Sequence, residues 1–137
     1  MEDRTNPSHY KDEAVEIESK RYEPIDLCEC YSFCLGNAIK YILRAKHHKD
    51  GEKLNLEKAL WYLHRLRQQD FLNYTVIYPE GDGRHHVPCI LSVYRERFDV
   101  VAALFEPSGM VSIVNIDNVI MMLERKIQNL EDDDKCI

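Results

Sequence analysis

Glycine is scarce, five in 137 residues, and none of the five forms a G-x-x-x-x-G-K-[ST] or G-x-G-x-x-G pattern. The backbone cradles with which P-loop and dinucleotide-binding proteins hold phosphate are therefore missing. Gly81 and Gly83 fall in the turn-dense stretch Pro79-Glu-Gly-Asp-Gly83 and not between a strand and a helix. A G-x-S-x-G nucleophile elbow is absent too. No apolar run approaches the length of a membrane span, and the start Met-Glu-Asp-Arg-Thr lacks the character of a secretory leader. A cytoplasmic protein is expected. Positive charge is in deficit, with 18 Lys and Arg against 24 Asp and Glu and a net charge of -6, which disfavours bulk nucleic-acid binding. A paired cysteine pattern is also lacking. The five cysteines, Cys28, Cys30, Cys34, Cys89 and Cys136, are odd in number, which argues against a disulfide framework. Cys28, Cys30 and Cys34 lie near His47 and His48 in sequence, but the separated second pair of a zinc knuckle is missing. On a helix Cys30 and Cys34 share a face and Cys28 turns away, so the three read as small buried hydrophobes and not as metal ligands.

What the chain has is two runs of helical character. Residues 35–44, Leu-Gly-Asn-Ala-Ile-Lys-Tyr-Ile-Leu-Arg, are answered by 57–65, Glu-Lys-Ala-Leu-Trp-Tyr-Leu-His-Arg. Pro24 suits a first helical turn, and the apolar positions Ile25, Cys28, Tyr31, Leu35, Ile39 and Ile42 predict one helix over about 24–46. Gly36 in its middle is unfavourable by about 1 kcal/mol against Ala. It implies a close approach there, by packed backbone in preference to a ligand. Asn55 predicts the N-cap of a second helix lasting to about Gln69, and the pair makes an antiparallel hairpin. On the first helix Asn37, Lys40 and Arg44 share a stripe; the second sets Lys58, Trp61, Tyr62 and Arg65 in similar register. Two such stripes suffice for a small anionic-ligand site.

Beyond residue 70 the pattern turns extended. Residues 74–78, 87–94, 99–105 and 110–116 predict strands, the last two joined through the turn Glu106-Pro-Ser-Gly109. Asp117 predicts the cap of a final helix over 118–130, followed by the acidic tail 131–137. Residues 12–20 suit a short helix or a strand equally. The expected fold is α+β, with a helical hairpin in 1–70 packed against a small antiparallel β-meander and a helix in 71–130. His85 and His86 would point to opposite faces of a strand and so could not share a site there.

Four blocks then carry a resemblance: residues 6–10 (Asn-Pro-Ser-His-Tyr), 23–26 (Glu-Pro-Ile-Asp), 36–44 and 57–63 (Glu-Lys-Ala-Leu-Trp-Tyr-Leu). In this order they resemble the phage-encoded SaV-like family, itself similar to the nucleotide kinase of T7-type phages. The resemblance covers roughly residues 5–66. It implies a phage or prophage protein working in the host bacterial cytosol, a P-loop-free handler of deoxynucleoside monophosphates and a homo-oligomer. In that setting Asn37, Lys40, Arg44 and Lys58 suit phosphate oxygens, and Tyr10, Tyr41, Trp61 and Tyr62 suit base stacking. His9 and Asp26 are the nearby groups able to act as general base. Phosphoryl transfer is largely positioning and charge stabilisation, so such a cluster can suffice. The expected ligand is a nucleotide, with Mg²⁺ as the accompanying ion to test; no protein metal ligands are expected. Against the kinase stand two alternatives, a nucleotide-sequestering anti-defence protein and an acidic inhibitor of a host enzyme. The bland reading stands beside all three: Tyr41, Trp61 and Tyr62 as core, Lys40 and Arg44 paired with Glu57 or Asp26, and Asp26 serving its helix dipole.

Overall fold

The computed structural model describes residues 14–47, 51–69 and 76–135. Its elements are a hairpin of β1 (Val15–Ile17) and β2 (Lys20–Tyr22), then α1 (Pro24–Cys28), α2 (Phe33–Arg44) and α3 (Glu52–Arg67). A 3₁₀ turn (Asp82–His86) leads into α4 (Val87–Arg97), α5 (Asp99–Leu104) and the long α6 (Ile113–Lys135). Among the described residues helix dominates, with one two-stranded antiparallel sheet, so the class is α+β.

The stretch that suited helix or strand equally is the hairpin. Val15 pairs with Tyr22 and Ile17 with Lys20, leaving Glu18 and Ser19 as a two-residue turn. Both take positive φ, 51° and 69°, the requirement of a type I′ turn, which usually recruits Asn or Gly.

The single helix expected over 24–46 is two. α1 opens with a reciprocal box in which the Asp26 carboxylate accepts the Glu23 N–H at 2.7 Å and the Glu23 side chain accepts the N–H of Asp26. It closes at Cys28, and residues 29–32 turn the chain before α2 begins. Cys30 therefore lies in a connection and not on a helix face with Cys34. The turn brings the end of α1 against the start of α2: a Cβ on Gly36 would sit 2.7 Å from the Cys28 carbonyl oxygen. Backbone packing is thus the reason for that glycine.

α2 buries Leu35, Ala38, Ile39, Ile42 and Leu43 against Leu56, Ala59, Leu63 and Leu66 of α3, the apolar stripes that helical periodicity calls for. Asn55 does not cap α3. The helix starts at Glu52 behind Gly51, whose φ is 90°, and the buried Asn55 amide donates back to the Gly51 carbonyl at 2.8 Å.

The second half corrects the predicted meander. Residues 87–97 and 99–104 are helices α4 and α5. Val87, Ile90, Leu91 and Tyr94 are buried at intervals of three and four, and Pro88 sits in the first turn where its missing N–H is harmless. Of the predicted strands 74–78 and 110–116 there remains one bridge. Ile77 and Val111 exchange both backbone hydrogen bonds at 2.8 Å, while residues 70–75 lie outside the described residues. The cap of α6 is Ser112, whose Oγ accepts the Asn115 N–H at 3.2 Å. Asp117 stands inside the helix and binds Arg67 of α3 at 2.7 Å. Residues 131–135 continue α6, and Glu131 reaches Lys53 at 3.3 Å.

One core runs through both halves, from Leu27, Leu35 and Leu63 to Ile90, Leu104, Ile116 and Leu123. Tyr31 ties them polarly. Its buried hydroxyl donates to the Gly109 carbonyl at 2.7 Å, and desolvation raises the phenol well above its ordinary range.

Candidate functional site

The packing of Leu35, Ile39, Ile42 and Leu43 on Leu56, Ala59 and Leu63 fixes how α2 lies on α3, and with it which polar stripes meet. On α2 the positions 33, 37, 40, 41 and 44 follow helical spacing along one edge; on α3 positions 58, 61 and 62 answer them.

The centre of the cluster is the Tyr41 ring. Lys40 Nζ stands 4.6 Å from its centroid, Arg44 Cζ 4.7 Å and Lys58 Nζ 5.4 Å. All three are within cation–π range. Tyr62 stacks beside Tyr41 at 6.0 Å with 12° between planes. Around Tyr62 stand two edge-on rings, Trp61 at 5.1 Å and Phe33 at 6.0 Å. Tyr41 and Tyr62 are partly buried, whereas Trp61 and Phe33 are 62% and 75% exposed. The core reading thus fits the two tyrosines in part and does not fit Trp61.

Three positive groups around one ring raise the local potential, which a partly buried setting screens less than water does; Arg44 and Lys58 each hold a further contact as well. An anion placed there is favoured for the same reason. The exposed indole and phenyl rings beside it offer flat apolar faces. Charge-assisted contact to an anion, with flat apolar surface beside it, is the chemistry this juxtaposition can offer.

Asn37 lies on the same edge, its amide donating to the Phe33 carbonyl at 2.8 Å. With Lys40, Phe33, Gly36 and Cys28 it lines an open hollow of about 230 Å³. The Cys28 thiol is pushed up to about 12, first by desolvation, with the Lys40 charge pulling the other way. A thiol so protonated is a poor nucleophile or metal ligand near neutrality. Among the described residues, no three His, Cys, Asp or Glu side chains come together as a metal site.

Asp26 and Glu57 have other occupations. The Asp26 carboxylate is engaged by the Glu23 N–H, and Glu57 lies 4.0 Å from Lys53. His9 and Tyr10 lie outside the described residues. His85 and His86 sit in the 3₁₀ turn and not on a strand, their ring centroids 6.4 Å apart; His86 Nδ1 is 3.0 Å from the Tyr22 hydroxyl. Neither belongs to the cluster.

Phe33 is the member that sequence reasoning missed. The signal was available: it stands four residues before Asn37 and eight before Tyr41, on the same helical edge.

The comparisons with known proteins bear on this half of the chain. No curated protein matches it, and no solved structure does. Residues 4–64, a little under half of the chain, are similar to the family DUF3310, described as proteins of unknown function, and that stretch carries all but the last turn of α3 and every residue of the Tyr41 cluster.

Proposed function

We propose that the α2–α3 face binds a phosphorylated nucleoside, with the phosphate against Lys40, Arg44 and Lys58 and the base on the exposed rings of Trp61 and Phe33. The observation that carries this reading is the convergence of three cationic groups within 5.4 Å of the Tyr41 centroid, beside two solvent-facing aromatic rings. The similarity to DUF3310 covers the same residues. The SaV-like resemblance adds the finer form of the proposal: a phage-derived protein that handles deoxynucleoside monophosphates, as a P-loop-free kinase or as a protein that sequesters them.

Those two forms share one site. Transfer to the dianionic phosphate of a monophosphate calls for positioning and charge stabilisation more than for a proton acceptor. The Asp26 carboxylate, held in the box that opens α1, therefore does not separate them, and turnover does.

The test is thermal stability against nucleoside mono-, di- and triphosphates and cyclic dinucleotides, for the wild type and for Lys40→Ala and Arg44→Ala. A ligand that binds the native state alone raises the melting temperature by mass action. The expected result is a rise with one nucleotide class that both variants lose. No shift with any compound would sink the proposal. Incubating the stabilising monophosphate with ATP and Mg²⁺ then separates kinase from sequestering protein.

A further inference from the structure

Trp61 is the sole tryptophan of the chain, and cationic groups flank it on both sides along α3. Towards the N-terminus lie Lys58 and, through it, the Tyr41 cluster. Towards the C-terminus the indole walls an open hollow of about 400 Å³ whose other lining residues are His64, Arg65 and Gln68. Among the described residues, no carboxylate lines that hollow. Arg65 is exposed, and its Nη1 donates to Gln68 Oε1 at 3.4 Å, which directs the guanidinium towards the C-terminal end of the helix, on the far side of the hollow from Lys58.

The spacing sets the size of what can use both stations. Lys58 and Arg65 are seven residues apart, about 10 Å along the axis at 1.5 Å per residue. One phosphate, bonded at about 3 Å on each side, does not span them. Two phosphates with a base between them do. Cation, ring, cation is the alternation that single-stranded nucleic acid presents in reverse, and stacking on an aromatic face tolerates any base.

We infer that the α2–α3 face takes a phosphodiester-linked ligand of two or more nucleotides. One phosphate sits at Lys40, Arg44 and Lys58, the next at Arg65, and Trp61 stacks the base between them. This rests on the nucleotide reading of the Tyr41 cluster and extends it to a second phosphate station. The acidic balance of the whole chain, a net charge of -6, confines the contact to a short strand along this face.

The exposed indole reports directly. Quenching of Trp61 fluorescence is titrated with thymidine 5′-monophosphate, with the 5′-phosphorylated thymidine dinucleotide and with a thymidine hexanucleotide, on the wild type and on Arg65→Ala. The dinucleotide is expected to bind at least tenfold more tightly than the monophosphate, with a steeper loss of affinity as salt rises. Arg65→Ala should abolish that gain and leave the monophosphate within twofold of wild type. Equal affinity for the two ligands, or a gain that survives Arg65→Ala, overturns the second station while leaving the nucleotide reading intact. Absence of quenching by all three, confirmed by calorimetry with the same ligands, overturns both.

Discussion

The two halves of the molecule dispose of their aromatic rings differently. In the first, Phe33 and Trp61 stand in solvent on the α2–α3 edge, grouped with Tyr41, Tyr62 and three cations. In the second, Tyr78 is exposed outside any such group, while Tyr94 and Phe105 are fully enclosed, with Phe105 packed 5.4 Å from Tyr31 across the interface between the halves. A buried ring is accounted for by the core it fills. An exposed ring gains little from folding, so a cluster of exposed rings among like charges asks for another explanation, and a ligand supplies one. The second half is the scaffold against which α3 is held, through α6 and the Arg67–Asp117 pair.

That contrast can be broken at its strongest point first. Phe105→Ala should destabilise the protein by about 3–5 kcal/mol, the range for truncating a buried large aromatic. Leu63→Ala, on the other side of the core, should cost about 2–5 kcal/mol. Denaturant unfolding followed by far-UV dichroism and by Trp61 fluorescence should give coincident transitions in both variants, because one core joins the halves. Separated transitions would show two independent units.

Gly36→Ala sharpens the packing claim because helix propensity and close contact pull in opposite directions. Propensity alone favours Ala by about 1 kcal/mol. The contact of 2.7 Å with the Cys28 carbonyl oxygen should reverse the sign and leave the variant about 1–3 kcal/mol less stable, as overpacking does. A stabilised Gly36→Ala would mean that α1 does not press on α2 as described.

Smaller effects follow at the surface. Arg67→Ala should cost no more than about 1 kcal/mol, since the Asp117 side chain is half exposed and such pairs are weak. Trp61→Ala should change stability by less than about 0.5 kcal/mol yet remove nucleotide binding. A Trp61→Ala variant that unfolds early would return that ring to the scaffold. Thiol chemistry separates the regions as well. Iodoacetamide at pH 8 should label the exposed Cys89 well before Cys28, whose thiol burial raises to about 12; mass spectrometry of the native protein reads the order.

The sequence made the hairpin legible because the apolar residues of α2 and α3 recur at three and four over more than ten positions, which only a helix satisfies. The same stripe analysis set Lys40 and Arg44 on one face and Lys58 on the answering one, but their meeting around the Tyr41 ring is legible only in the fold. It failed where runs are short. Val87–Tyr94 and Asp99–Phe105 are largely apolar runs of eight and seven residues with β-branched and aromatic members, and so short a run fits a strand as well as a buried helix. Pro88 in a first turn was the discriminating residue. The hairpin at 15–22 was illegible for the opposite reason, since Glu18 and Ser19 occupy positive-φ positions without turn residues to announce them. The break at Cys28 could not be read from periodicity either. It depends on the contact between the Cys28 carbonyl and Gly36, which exists only after the chain has turned. Asp26 shows the limit for function: the sequence places a carboxylate near the cations, and the fold commits it to a helix start.

The most direct test of the central claim, that the cations around Tyr41 form a phosphate site, is calorimetric titration of thymidine 5′-monophosphate into wild type and into Lys40→Glu. Lys40 is partly buried, with its ammonium over the Tyr41 ring and outside the buried core cluster, so the variant should keep the fold, as its unfolding midpoint will show. Saturable binding to the wild type, weakened at least tenfold by the charge reversal, is the predicted result. Equal binding by both proteins would contradict the site.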